Sequence, residues 1–422
     1  MIGESRSTWV STPARLIVLL ATITLLVFTF TKHRVGANVL SRFVTVERLI
    51  EAGTWSHDGS PLGGSVDAVQ VDGRTYSSKP PTYSLLLAIT AWPLRRITGT
   101  PIDKAPRAYL HALVFIHQVI PYVLLLYLGL RWIEAKSDDR WLQAVFLAGL
   151  SFAAMPFGYA VTLNNHTPTA FYLFLMWWLA DRSLRDGGAV SHLRAIGVGV
   201  LGGLAASHEL TAGIFTPLMS VLFARRNLAA GALVILAAVV ATIPMFAVYY
   251  AISGSVVPFY IRPELYDYPG SYWRNPTGLD GLNDPLWLYA FHAFLGHHGL
   301  FSLTPYVLIG VAGALVQARR RDPMAWVILA GASIVVTYIL YKTNNYGGRT
   351  IGMRWFAQFV PLFAVAAVPA LEWLRTRSWG RMLVYSALGI SAVLIVEALV
   401  HNTFSPGGWV YGVMKTAGVT IE

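Results

Sequence analysis

The sequence contains no cysteine. That excludes a disulfide framework, thiolate catalysis and any cysteine-ligated metal. Charge is scarce as well: 13% of the 422 residues are Asp, Glu, Lys or Arg, against about 25% in soluble domains. There is no Asp-x-Asp or His-x-x-x-His pair, no low-complexity tract and no convincing internal repeat. A metal site is therefore unsupported, and no cofactor is expected, a divalent cation lacking any ligand motif. Basic residues outnumber acidic ones, 32 to 21. No basic-aromatic patch stands apart from the apolar runs, however, which argues against a nucleic acid partner. What is abundant is apolar: 55% of the chain is hydrophobic, in runs that approach the ~20 residues a helix needs to cross a bilayer. The reading is an all-α polytopic membrane protein, one integral domain over 1–422.

Leu16 to Phe30 is the first predicted span. Lys32-His33-Arg34 follows it with no small-residue cleavage site, so an uncleaved anchor is expected. Residues 31–81 form a long polar loop. Val39, Phe43, Val46, Leu49 and Ile50 make a helical stripe opposed by Arg42, Glu47 and Glu51, the pattern of an amphipathic helix lying in an interface. Gly53 stops it. Val66–Val71 and Arg74–Tyr76 flank Asp72-Gly73, a two-residue hairpin signal. The apolar run Thr82 to Leu94 then spans only ~20 Å as a helix, short of a ~30 Å hydrocarbon core. Later runs, from Tyr109–Leu130 to Met382–Val400, bring the bundle to about 11–12 helices, interrupted by a second large loop over 253–299.

Charge sets the orientation. Met1–Arg15 (with Arg6 and Arg15), Arg131–Arg140, Arg182–Arg194, Arg225-Arg226, Arg319–Arg321 and Arg375–Arg381 carry 16 of the 32 Lys and Arg. These segments should be cytoplasmic. The alternation closes only if Thr82–Leu94 does not cross fully, or if the count differs at another segment. Both large loops and the C-terminus then lie outside, in a bacterial inner membrane.

Five polar clusters fall on that outer face: Arg42 to Lys79, Asn164-Asn165-His166, Ser207-His208-Glu209, Tyr266 to His298, and Lys342 to Trp355. Lys342, Arg349 and Arg354 are cations placed against the topology rule, which suggests an anionic ligand; the alternative is helix capping or snorkelling. Lys79, held extended by Pro80-Pro81, can present its ammonium to a phosphate or merely mark a membrane boundary. Asp67 precedes the hairpin, whereas Asp72 is a turn former. Glu47 either serves chemistry or lies on a solvated helix face. His166 either caps a turn with its asparagines or belongs to a site. Glu209 in an apolar setting needs a partner; His208 or an arginine would make it structural. His297-His298 point different ways on a helix, a poor metal pair. Tyr266, Tyr268, Tyr272 and Trp273 suit a sugar face or an interfacial aromatic belt.

The outer loop, the amphipathic helix ending in Gly53-Thr54-Trp55, and Tyr76–Pro81 leading into Tyr83–Leu87 resemble the GT-C superfamily of membrane glycosyltransferases. The branch of protein O-mannosyltransferases and aminoarabinose transferases is the most similar. The motif match covers about 50 residues. Asp267–Trp273, Gly296–Pro305, and Asn345-Tyr346-Gly347-Gly348 with Arg354-Trp355 look like a bacterial subgroup of it. The resemblance implies transfer of a sugar from a polyprenyl-phosphate carrier to an acceptor hydroxyl at the outer face, with membrane lipids as the other partner. It implies that Lys79 contacts the phosphate, and that Arg349 and Arg354 stabilise its departure. Arg42, Tyr76, His166, His208, Glu209, His297, His298 and Tyr346 complete the expected substrate site. The family's acidic residue lies near the end of the first helix, where this chain has Val35–Arg42 and no carboxylate before Glu47. Either Asp67 or Glu47 takes that catalytic part, or the chain is a flippase, transporter or non-catalytic scaffold for lipid-linked glycans.

Overall fold

A computed structural model describes residues 12–32, 34–185, 190–343, 345–348 and 350–400, with 412, 413 and 416. Arg6, His33, Arg349 and most of the C-terminal tail, all used in the sequence reading, lie outside the described residues. Helix α1 (Pro13–Thr31) starts on Thr12, whose hydroxyl accepts the Arg15 amide at 3.4 Å. Ala14, Val18, Ala21 and Leu25 face inward, while Leu16, Leu20, Ile23, Val27 and Phe30 stay exposed. An apolar stripe open on one side is a lipid-facing surface.

Helix α2 (Ala37–Glu51) is the expected amphipathic element. Strands β1 (Ala68–Val71) and β2 (Arg74–Ser77) pair antiparallel, Val69 opposite Tyr76. Asp72 and Gly73 both take positive φ, 48° and 76°, as a type I′ turn requires. Helix α3 (Pro81–Thr98) extends the short apolar run by a turn. Lys79, just before it, pairs with Asp67, whose carbonyl accepts from Ser41 early in α2 at 2.6 Å. At the far end Arg95 pairs with Glu51, the last residue of α2, at 2.9 Å. Both ends of α3 are tied to one unit, so it lies alongside α2. Val39, Phe43, Val46, Tyr83, Leu87 and Ala91 form the shared core.

The remaining helices are α4 (Pro106–Lys136, with a π-turn at Phe115–Val119), α5 (Arg140–Leu150), α6 (His166–Arg185), α7 (His192–His208), α8 (Leu210–Ala224) and α9 (Leu228–Ser253). Then come α10 (Tyr306–Arg319), α11 (Pro323–Lys342), the broken pair α12 (Arg354–Ala366) and α13 (Val368–Leu374), bent by 49°, and α14 (Ser378–Val400). Among the described residues α1, α4, α9, α11 and α14 are long and apolar enough to cross a membrane, and the bent pair makes a sixth; α8 and α10 are apolar but shorter. The arginine-rich connections meet at one end, where Arg15 pairs with Glu134, Arg185 with Asp322 (3.7 Å) and Arg375 with Asp139. That grouping is the one the charge pattern requires.

Helices α7 and α9 touch backbone to backbone. A Cβ on Gly199 would sit 2.3 Å from the Val234 carbonyl, and one on Gly203 2.4 Å from that of Ala238. Small residues four apart let helices approach this closely in lipid. Gly203→Leu is expected to abolish the monodisperse peak in detergent size-exclusion chromatography. Gly389→Leu, in α14 with nothing within 4 Å of the added atom, should leave that peak in place.

Candidate substrate site

At the end of the bundle that carries α2 and the hairpin, residues from all five clusters converge. Asp67 and Lys79 form an ion pair of 3.0 Å. Ser65 positions Asp67 by accepting its amide at 3.1 Å, and Ser77 accepts the Lys79 amide at 3.2 Å. Arg42, 1% exposed, lies behind them on α2. Its guanidinium donates to the Asn38 carbonyl (3.1 Å), the Asn38 side chain and Asn165 Oδ1 (2.7 Å), and lies over the Tyr83 ring at 5.7 Å. Asn165 donates in turn to Glu209 Oε2 at 2.5 Å and to the His208 carbonyl at 3.0 Å. Glu209 also faces His166 Nδ1 at 3.0 Å.

The second and third clusters are therefore one network. The partner of Glu209 is His166, not the His208 beside it. His208 donates Nδ1 to the Leu204 carbonyl (2.8 Å) and packs between Tyr83 and Tyr172. Asn164 Oδ1 caps α6 by accepting the Thr167 amide at 2.8 Å, and its amide is held by Gln118, itself bonded to the Tyr83 hydroxyl.

Arg354, at the start of α12, sends its charge into this cluster: it acts on Asp67, Lys79, Arg42, His166 and Glu209. Its Nε is buried without a hydrogen-bond partner. The segment carrying it is clamped by histidines: His298 faces the Gly348 carbonyl through Nε2 (3.2 Å), while its own carbonyl accepts the Met353 amide (2.9 Å). His297 contacts His298 through Nδ1 and stacks on His292 at 4.1 Å. Tyr346 packs against all three rings and donates to Asp284 at 2.6 Å. These histidines are stacked, and no described group of three or more His, Asp or Glu is arranged to hold a metal ion.

The electrostatics are lopsided. Burial alone would raise the Asp67 pKa, yet Lys79, Arg354 and Arg42 outweigh it and hold the carboxyl below its usual range. Lys79 is also shifted down, by burial first and by the two arginines, against the pull of Asp67. An ammonium crowded by two guanidiniums gains from an added anion.

Glu47 is elsewhere. It is buried, accepts from Ser60 Oγ at 2.6 Å, and has Arg48, Glu51 and Asp103 as its charged neighbours. It is neither on a solvated face nor beside Lys79. Tyr76 packs with Val69, Tyr249 and Phe259 under the hairpin, and lines a narrow groove with Lys79 and Trp55 between α3 and α9. Lys342 is exposed at the end of α11. Tyr266 lies beside Ser78 under the hairpin, and Trp273 Nε1 donates to the Val66 carbonyl at 2.9 Å, so the second loop closes over Asp67. That loop brings in Asp280, which the sequence reading did not single out. A cavity of about 710 Å³ is at the opposite end, among Lys136, Arg185, Arg225, Arg226, Arg320 and Glu372. It takes no part in the cluster.

This arrangement belongs to an all-α membrane protein with a cationic pocket at one end of its bundle, and comparison with solved structures shows which fold it shares. ArnT from Cupriavidus metallidurans, solved with undecaprenyl phosphate bound, superposes with a TM-score of 0.55 at 16% identity over 91% of this chain and 64% of that one. The apo oligosaccharyltransferase of Archaeoglobus fulgidus gives 0.56 at 13% identity over 98% and 58%. The chain thus spans somewhat less than two thirds of the length of these structures. No family model and no curated protein matches the sequence. At these identities the likeness defines the GT-C fold, as the motifs of the first loop implied.

Proposed function

We propose that the protein transfers a sugar from a polyprenyl-phosphate donor to an acceptor hydroxyl, at the extracytoplasmic face of the bacterial inner membrane. One observation carries this reading: Lys79 and Arg42 from the first loop and Arg354 from far along the chain gather around Asp67. The undecaprenyl phosphate in the ArnT structure supports the same ligand class. Lys79 and the open Nε of Arg354 would take the phosphate, and would meet the charge it gains as the glycosidic bond breaks. Arg42 stays behind the pocket as a fixed charge, with Asn165, His166 and Glu209 holding it in place. Asp67 aims the Lys79 ammonium; with a depressed pKa it is a weak proton acceptor.

A flippase would place its charged residues near the midplane of an inverted repeat. Here the cluster sits at one end of the bundle, which favours one-sided chemistry. In detergent, Asp67→Asn is expected to lower sugar release from a tritiated polyprenyl-phosphate sugar about 100-fold, since Lys79 loses its anchor. Full release and unchanged undecaprenyl phosphate affinity in that variant would refute the assignment.

A further inference from the structure

We propose that Asp280, on the second large loop, is the catalytic base that removes the proton of the acceptor hydroxyl. The inference rests on the transferase reading above and deepens it. Asp280 ends a short turn (Gly278–Asp280) pinned by buried Leu279. Tyr272 donates its hydroxyl to Oδ2 at 3.2 Å, and the Asn345 amide donates to Oδ1 at 3.3 Å. Both partners are neutral. No described Lys or Arg lies within ion-pair distance of Asp280, whereas Asp67 is locked to an ammonium at 3.0 Å.

Asp280 nonetheless lies by the same pocket: a Cβ on Gly347 would sit 3.1 Å from Arg354 Nε, and the next residue, Gly348, borders Asp280, on which Arg354, Asp67 and Lys79 act through space. Gly347 and Gly348, both at φ 82°, carry the segment past it, and a Cβ on Gly348 would lie 3.8 Å from Oδ1. Of the groups facing it, Arg354 and Lys79 favour its charge, as does the Tyr272 bond, while Asp67 opposes it. Burial is the largest influence, and its carboxyl ends above the ordinary range. A carboxylate in that condition accepts a proton more readily than one held by a cation. The pocket thus contains two acids with divergent environments, the arrangement that separates a proton carrier from a fixed charge.

In the step, the acceptor oxygen forms a bond to the anomeric carbon. The bond from that carbon to the carrier phosphate oxygen breaks, and its electron pair leaves with the phosphate. The hydroxyl proton passes to Asp280, and Lys79 and Arg354 meet the charge on the departing phosphate.

The test uses the full chain in detergent, with two readouts: quenching of tryptophan fluorescence by undecaprenyl phosphate, and sugar release from tritiated undecaprenyl-phosphate mannose, glucose and aminoarabinose. Asp280→Asn is expected to bind undecaprenyl phosphate within twofold of the parent while release falls at least ~100-fold. Asp280→Glu should retain measurable release with the acid limb of its kcat/KM profile displaced. The base works deprotonated, so the parent's rate is lost as pH falls through the Asp280 pKa, above the ~3.9 of a free aspartate. Release within tenfold of the parent by Asp280→Asn overturns the assignment and leaves the transferase reading standing. Equal loss of binding and release makes Asp280 structural and also overturns it. A parent chain that binds the phosphate but releases no sugar overturns the base assignment, and one that does neither overturns the transferase reading with it.

Discussion

Lys79→Ala is expected to weaken undecaprenyl phosphate binding about 100-fold. A hydrogen bond to a charged group contributes roughly 1.5–3 kcal/mol, and about 1.4 kcal/mol is a factor of ten in affinity. The pocket retains Arg354 and Arg42, but Arg42 is buried behind the site and already bonded to Asn38 and Asn165. The substitution also strands Asp67 without its ion-pair partner, which adds repulsion for an incoming anion. Lys79→Arg should recover only part of the loss. The planar fork is wider than an ammonium, and the space before Pro80-Pro81 is walled by Trp55, Tyr76 and Phe259. Titration of intrinsic fluorescence with undecaprenyl phosphate decides it: a Kd within threefold of the parent would remove Lys79 from the phosphate site.

Arg42→Ala should be the most destabilising single change at this end of the molecule. The guanidinium is fully enclosed and bridges α2, Asn165 and the Tyr83 ring. Its removal leaves Asn38 and Asn165 side-chain oxygens without their guanidinium partner and takes one of the positive charges acting on Glu209. Deleting one member of a buried charged network costs about 3–5 kcal/mol. The expected readout is a thermal transition in detergent lowered by several degrees, accompanied by lost phosphate binding. Arg42→Lys, which keeps the charge but cannot reach Asn38 and Asn165 together, should be intermediate. An unchanged transition in Arg42→Ala would show that the network is not what holds α2 against α6.

How much of this was legible in the sequence depended on whether the signal was local. The hairpin was, because Asp72-Gly73 supplies two left-handed positions between apolar alternations. The amphipathic helix was, through its stripe from Val39 to Ile50. Lys79 stood out because a cation before two prolines and an apolar run has few places to be. The shortness of the Thr82–Leu94 run was plain from the sequence, although its continuation to Thr98 and the Arg95–Glu51 pair were not.

Partnerships across the chain were not legible. Glu209 announced by its setting that it needed a partner, but nothing local distinguished His166 from His208. The choice was made by the way α6 and α7 pack. Glu47 and Asp67 were equal candidates on composition; the structure separates them because Glu47 turns toward Ser60 while Asp67 turns toward Lys79. Asp280 gave no signal at all. It sits among other loop aspartates, and only the folding of the second loop onto Val66 and Ser78 brings it to the pocket.

The outward flank of α3 has a physical corollary. Ile89, Trp92 and Ile97 protrude from it, so an apolar edge leads along the helix that begins just after Lys79. Under the proposed donor, a prenol chain arriving along that edge would keep its hydrocarbon among apolar neighbours while its head group reached Lys79. The long tail would then need no transfer into water, and docking would turn on the phosphate.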